Sequence, residues 1–262
     1  MNYYYDTEFL EGTQRKTFFG IPIGNTAPTI DLISIGVVSD DGREYYAISK
    51  DFNLKEAWNR YDLKYNTGMG DANNLPPTKV YWIRENVLKP IFNEWKMETN
   101  GRIVRLGLPI PLNEMIFNYK NFKYCISKIG KSNKQIAEEV INFTKCQLDT
   151  DNDGNCPKHL QGCPKINLYG YYSAYDHVAL CWLFGKMINL PKGFPMYTID
   201  LKQMLDERVI SFFEGVHKGG RNLEDRLSSI KTDPRYPKET NAHNALADAK
   251  WNKELHTFIH TL

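Results

Sequence analysis

The sequence predicts an α/β protein built on a mixed sheet covered by helices. Three observations carry that prediction. β-rich runs occupy residues 2–8, 29–38 and 44–48, with Asp40, Asp41 and Gly42 as a turn signal between the last two. Strand-like runs at 166–171 and 197–199 are each followed by a helical pattern. A last helical segment runs from Asn244 to about Ile259. Strands in succession, then strand–helix units, argue for a sheet with helices packed against it.

The first strand rests on Tyr3, Tyr4 and Tyr5, which favour extended backbone. Residues 11–27 are punctuated by Gly and Pro and read as a loop. Residues 51–77 read as irregular, with turn chemistry from Asn66 to Asn74. Val80, Ile83, Val87, Ile91 and Trp95 recur at helical steps, predicting a helix over 78–96 with Thr78 as N-cap. Residues 100–130, which include Pro109 and Pro111, yield no clear element.

Ser132 with Gln135 is a capping-box signal, followed by an apolar face of Ile136, Val140, Ile141 and Phe143. Ala174 to Met187 reads as a helix with Val178, Leu180, Cys181 and Phe184 toward the core. Another helix follows the 197–199 strand through about Ile210, and residues 214–242 read as a polar, charge-rich stretch. With no convincing linker and no internal repeat, we expect a single domain over 1–262 with an inserted region at about 51–165.

The chain has 262 residues, enough to bury a substantial core. Its formal net charge is only +2, so any phosphate-binding surface must be a local patch. Five cysteines cannot all pair within the chain. No basic-then-apolar leader precedes the first strand, and no apolar run reaches membrane-spanning length. A reducing, cytoplasmic setting and no membrane partner are expected.

Asp6 and Glu8 lie two apart in the first strand and so point to the same face. Adjacent carboxylates repel unless a cation relieves them, and an oxygen-only set suits Mg²⁺ or Mn²⁺. Taken alone, the pair also fits a solvated strand end. Asp176 falls where strand gives way to helix, in a first turn that Ser173 would cap. His243 and Asp248 are five apart, about 500° around a helix, so they converge only if His243 precedes it. Asn244 is a suitable N-cap for that arrangement. Ala245, Ala247 and Ala249 would let the helix approach a sheet closely.

In this order, Asp6, Glu8, Asp176, His243 and Asp248 resemble the motifs of the DEDD superfamily of 3′–5′ exonucleases, in its histidine-bearing branch. The segments 5–9, 31–38, 42–47, 175–187 and 195–202 resemble the RNase T-like and mycobacterial-type exoribonucleases of bacteria and phages. The similarity covers 1–50 and 166–262 well and 51–165 loosely.

The resemblance implies a ribonuclease H-like mixed sheet, with three antiparallel strands plus parallel strands, flanked by helices. It implies a two-metal hydrolase, with Asp6, Glu8, Asp176 and Asp248 holding two Mg²⁺ or Mn²⁺ and His243 as general base. The expected partner is single-stranded RNA or RNA with a 3′ overhang, and related nucleases often form homodimers. A DNA 3′–5′ exonuclease or proofreading factor is an alternative, since the machinery does not choose the sugar. A non-catalytic module that binds RNA ends is a further one, disfavoured by the complete acid–His set.

By the same resemblance, Phe9 and Leu10 are candidates to stack or wedge against the terminal base; ordinary core packing is the competing role. Cations of the 214–242 stretch, Arg221 and Arg235 among them, are candidates for phosphate contact, although Glu224, Asp225, Asp233 and Glu239 dilute their charge. Cys146, Cys156, His159 and Cys163 have a spacing that structural Zn²⁺ permits, with unligated thiols as the alternative. Asp149 to Gly154 imitates the start of a calcium loop, but Leu160 stands where the bidentate Glu is needed.

Overall fold

The computed structural model describes residues 1–19, 21–65, 76–98, 102–105, 108–111, 115–144, 165–214 and 222–262. The four zinc candidates Cys146, Cys156, His159 and Cys163 lie outside these, as does Arg221.

The chain runs through β1 (Asn2–Gly12), β2 (Arg15–Phe18), β3 (Ile21–Asn25), β4 (Thr29–Ser39), β5 (Glu44–Ile48) and α1 (Leu54–Asn59). Next come β6 (Asp62–Lys64), β7 (Thr78–Val80), α2 (Lys89–Glu98), β8 (Arg102–Arg105), β9 (Leu108–Pro111), α3 (Tyr119–Ile129) and α4 (Asn133–Thr144). It closes with β10 (Asn167–Gly170), α5 (Ala174–Leu183), β11 (Ile199–Asp200), α6 (Leu201–Glu214), α7 (Leu223–Lys231) and α8 (Ala245–Ile259).

A five-stranded mixed sheet has the order β11-β10-β1-β4-β5, consistent with the expected ribonuclease H-like fold. β1 pairs in parallel with β10, ending at Tyr4 opposite Tyr169, and β10 pairs in parallel with β11. The β4–β5 connection is a tight turn in which Gly42 takes φ +85° and donates its N–H to the Ser39 carbonyl at 3.1 Å.

Two compact units are distinguished, one of Met1–Glu8, Ser34–Ala47 and Ser132–Leu262, the other of Phe9–Ile33 and Ile48–Lys131.

In the first unit, β1 is buried on both faces, and its tyrosines alternate as strand geometry requires. The Tyr3 hydroxyl donates to the Thr144 carbonyl at the end of α4, at 3.1 Å. Tyr4 points the other way, with its hydroxyl 2.9 Å from His256 Nδ1 on α8. Around Tyr4 gather Tyr169, Leu201, Leu205, Val209, Ile230, Trp251, Leu255 and Phe258, a core built by α6, α7 and α8. α8 lies hard against the sheet at Gly36. A Cβ on Gly36 would stand 2.3 Å from the Ala245 carbonyl oxygen, and Ala245 and Ala249 are fully buried. Of the three alanines expected to seat this helix, Ala245 and Ala249 therefore form its contact face, whereas Ala247, about 200° further round from Ala245, is only partly buried.

The second unit is organised by the buried Gln14. Its Nε2 donates to Thr29 Oγ1 at 2.9 Å, and its Oε1 accepts from Asn53 Nδ2 at 2.9 Å. Trp58, Phe92, Phe117 and Phe122 form an aromatic cluster in the same unit.

Several segments differ from the sequence expectation. Residues 11–27 contain the hairpin β2–β3 instead of a plain loop. Both strands of such a hairpin are edges, where proline is tolerated, and exposure of β2 removes any apolar alternation. Thr78 caps no helix, because Thr78–Val80 pairs antiparallel with Asp62–Lys64. A π-helical turn at Arg84–Leu88 then leads into α2. Strands of three residues are too short to show a period of two. The unplaced stretch 100–130 holds β8, β9 and α3, with Asn118 capping α3. The stretch 214–242 holds α7, capped by Asn222.

Candidate active site

β1 brings two acids to one place. Asp6 and Glu8 follow Tyr4 at two-residue steps and share its face, the face on which α8 packs. Asp248, in the first turn of α8, meets them there. Asp6, Glu8 and Asp248 each offer a carboxylate oxygen, and these oxygens all lie within 4.8 Å of one another.

The start of α8 is locally specified. Asn244 is its N-cap, and its side-chain oxygen accepts from the N–H groups of Leu246 at 3.1 Å and Ala247 at 3.0 Å. His243 precedes the helix in left-handed backbone, φ +66°. Its N–H donates to Asp248 Oδ2 at 3.0 Å, and its Nδ1 stands 3.8 Å from Glu8 Oε1. The convergence of His243 and Asp248 is thus as the sequence required. The segment before it is anchored by Trp251, whose indole N–H donates to the Pro237 carbonyl at 3.1 Å.

Asp176 arrives from α5. A sharp turn joins β10 to α5: Tyr172 takes φ +53°, and a Cβ on Gly170 would lie 2.7 Å from Ser173 Cβ. Ser173 occupies the cap position, but its side chain makes no capping hydrogen bond. Instead its N–H donates to Asp200 Oδ2 at 3.1 Å. Asp176 is buried in the first turn, and its Oδ1 accepts from the Thr7 N–H at 2.9 Å and the Thr7 hydroxyl at 2.6 Å.

The electrostatics show four acids competing for too little solvent. Burial, then repulsion by Asp176, Glu8 and Asp248, lifts Asp6 well above the usual carboxylate range. Burial and the charges of Asp248 and Asp176 push Glu8 up to about 8. Burial raises Asp248 to about 6 against the lowering effect of the His243 N–H. Burial likewise raises Asp176 to about 6, held down by the two Thr7 bonds. A hard-oxygen set that resists losing its protons is the donor chemistry a divalent cation satisfies.

Leu10 is fully buried, which favours packing over contact with a base, and Phe9 is partly buried. Arg235 is engaged by Asp233, with Nη2 2.6 Å from Oδ2. Thr7, Asp200 and Glu239 entered the site without a sequence signal. Asp200 raises Asp176 and Glu239 raises Asp248 by charge. Thr7 lies between the two motif acids, but alternation sends it to the opposite face.

No protein-family model matches the chain. Over 208 residues it is 29% identical to a 3′–5′ exoribonuclease of Mycobacterium tuberculosis, in strain H37Rv and equally in strain CDC 1551. The match spans 79% of this chain and 76% of that protein. The chain is a homologue of a 3′–5′ exoribonuclease. In this exoribonuclease homologue, no helix among the described residues is long and apolar enough to cross a membrane.

Proposed function

We propose that the protein is a divalent-metal-dependent 3′–5′ exoribonuclease. One observation carries the reading: three carboxylate oxygens within 4.8 Å beside a histidine, in a homologue of such an enzyme. Asp6, Glu8 and Asp248, with Asp176, would hold two Mg²⁺ or Mn²⁺. Such ions would supply an acidified water and offset negative charge on the scissile phosphate and its leaving oxygen. His243 is the proton acceptor for the attacking water. Its side chain is 43% exposed, so it can reach a water at the mouth of the site while Glu8 lies behind it. The backbone bond to Asp248 keeps the imidazole's anchor in place during proton transfer. Attack at phosphorus breaks the bond to the 3′ oxygen and releases a nucleoside 5′-monophosphate.

The substrate in this reading is single-stranded RNA or a 3′ overhang, with the enzyme working in the cytoplasm, as a homodimer. Timed digestion of 5′-labelled RNA and DNA, with Mg²⁺ or with chelator, tests it. A ladder shortening from the 3′ end, faster on RNA and abolished by chelator, is expected. Activity surviving in chelator, or a single internal cut, would overturn it.

A further inference from the structure

Strand alternation divides the site between the two faces of β1. Asp6 and Glu8 lie on the face shared with Tyr4, toward Asp248 of α8. Thr7 lies on the face shared with Tyr3 and Tyr5. That is the side on which Asp176 of α5 is found, bonded twice to Thr7. The fourth acid therefore reaches the cluster by a different route from the other three.

Backbone accounting explains why Thr7 is available. The parallel ladder with β10 ends at Tyr4, so the residues beyond it need other partners. The Tyr5 carbonyl accepts from Asn252 Nδ2 at 3.0 Å, a buried side chain on α8. The Thr7 N–H is satisfied by Asp176, and the Thr7 hydroxyl adds a second bond to the same oxygen. Thr7 is itself buried, so water does not compete for these bonds.

We infer that Thr7 is a positioning residue, which clamps Oδ1 of Asp176 and so presents Oδ2 as the single oxygen offered to the cation site. This rests on the metal-dependent reading of the site. Two observations agree with it. Both donors converge on one oxygen, which fixes the rotation of the carboxylate plane as well as its place. Asp176 stands outside the trio whose oxygens lie mutually within 4.8 Å, as expected of a carboxylate held from the opposite face. Hydrogen bonds that orient a ligand are commonly worth 10- to 100-fold in metal affinity.

Thr7→Val keeps the shape and the backbone N–H and removes only the hydroxyl donor. Thr7→Ala removes the same donor with less bulk, so the test does not depend on one variant folding. Thr7→Ser restores the donor. Mn²⁺ binding should be measured by calorimetry and RNA hydrolysis titrated against Mn²⁺, with melting temperature recorded for each protein. Thr7→Val and Thr7→Ala should need about tenfold more Mn²⁺ in both assays. Thr7→Ser should return close to wild type. Wild-type Mn²⁺ curves for Val and Ala, or Ser as impaired as Val, would overturn the clamp. A wild-type protein that neither binds Mn²⁺ nor hydrolyses RNA would instead overturn the nuclease reading, so the two failures are distinguishable.

Discussion

The backbone N–H of His243 donates to Oδ2 of Asp248 at 3.0 Å, tying a loop residue to the first turn of the helix it introduces. The bond explains how residues five apart share a site. The left-handed backbone at His243 reverses the chain, and Asp248 reaches back to satisfy the N–H exposed by that reversal. The His243 imidazole is then directed toward Glu8.

His243→Ala should lower turnover by about 10²–10⁴ while RNA binding in Ca²⁺ persists. His243→Gly is the control, since glycine adopts φ +66° without strain and keeps the N–H for Asp248. Both variants should lose turnover alike, and Gly should melt no lower than Ala. Single-turnover rates close to wild type in either would remove the general-base role.

Asp6→Ala and Asp248→Ala should each abolish hydrolysis and leave the fold intact. Each removes one carboxyl from a crowded set, so in chelator the melting temperature should hold or rise for Asp6→Ala, whereas Asp248→Ala also gives up the acceptor of the His243 N–H and should gain less. Activity and unfolding measured on the same preparations decide this. Retained turnover in either variant would defeat the carboxylate assignment.

The acids also predict an inverted pH dependence for the metal-free protein. Glu8 titrates at about 8, and Asp176 and Asp248 at about 6, whereas unfolded carboxyls titrate near ~4. Between about pH 4 and pH 8 the folded chain binds more protons than the unfolded one, so these groups make stability fall as pH rises. In chelator the melting temperature should drop by at least ~3 °C from about pH 5.5 to about pH 8.5. Glu8→Gln should flatten that slope, and Mg²⁺ should restore the wild type most at the higher pH. Parallel slopes for wild type and Glu8→Gln would contradict the assignment.

Gly36→Ala tests the contact that seats α8. Its Cβ would meet backbone atoms of Ala245 and Leu246, which cannot yield as a flexible side chain would. A cost of about 3 kcal/mol is expected. Activity should fall with it, since Asn244, His243 and Asp248 move with the helix start. Calorimetric melting and turnover report the two effects, and an unchanged melting temperature would show that α8 does not rest on Gly36.

The sequence by itself determined the acid pair on β1, the placing of His243 ahead of α8, and the Asn244 cap. These depend on local geometry: the alternation of a strand, the pitch of a helix and the orphan donors at its start. It also pointed to Ala245 and Ala249 as the small residues that let α8 approach the sheet, while Ala247 lies off that face. It did not disclose the β2–β3 hairpin, since an exposed β2 shows no apolar alternation and β3 carries Gly and Pro. It did not disclose α3 or α7 either, although Phe122, Cys125 and Ile126 in α3 and Leu223, Leu227 and Ile230 in α7 recur at helical steps. Nor did it single out Thr7. Only the tertiary structure decided that β10 stops at Gly170, that α5 turns back beside β1, and that Asp176 satisfies a donor the ladder leaves open. Such a partnership spans 169 residues of chain. It is set by where backbone hydrogen bonds run out, which no local pattern of side chains encodes.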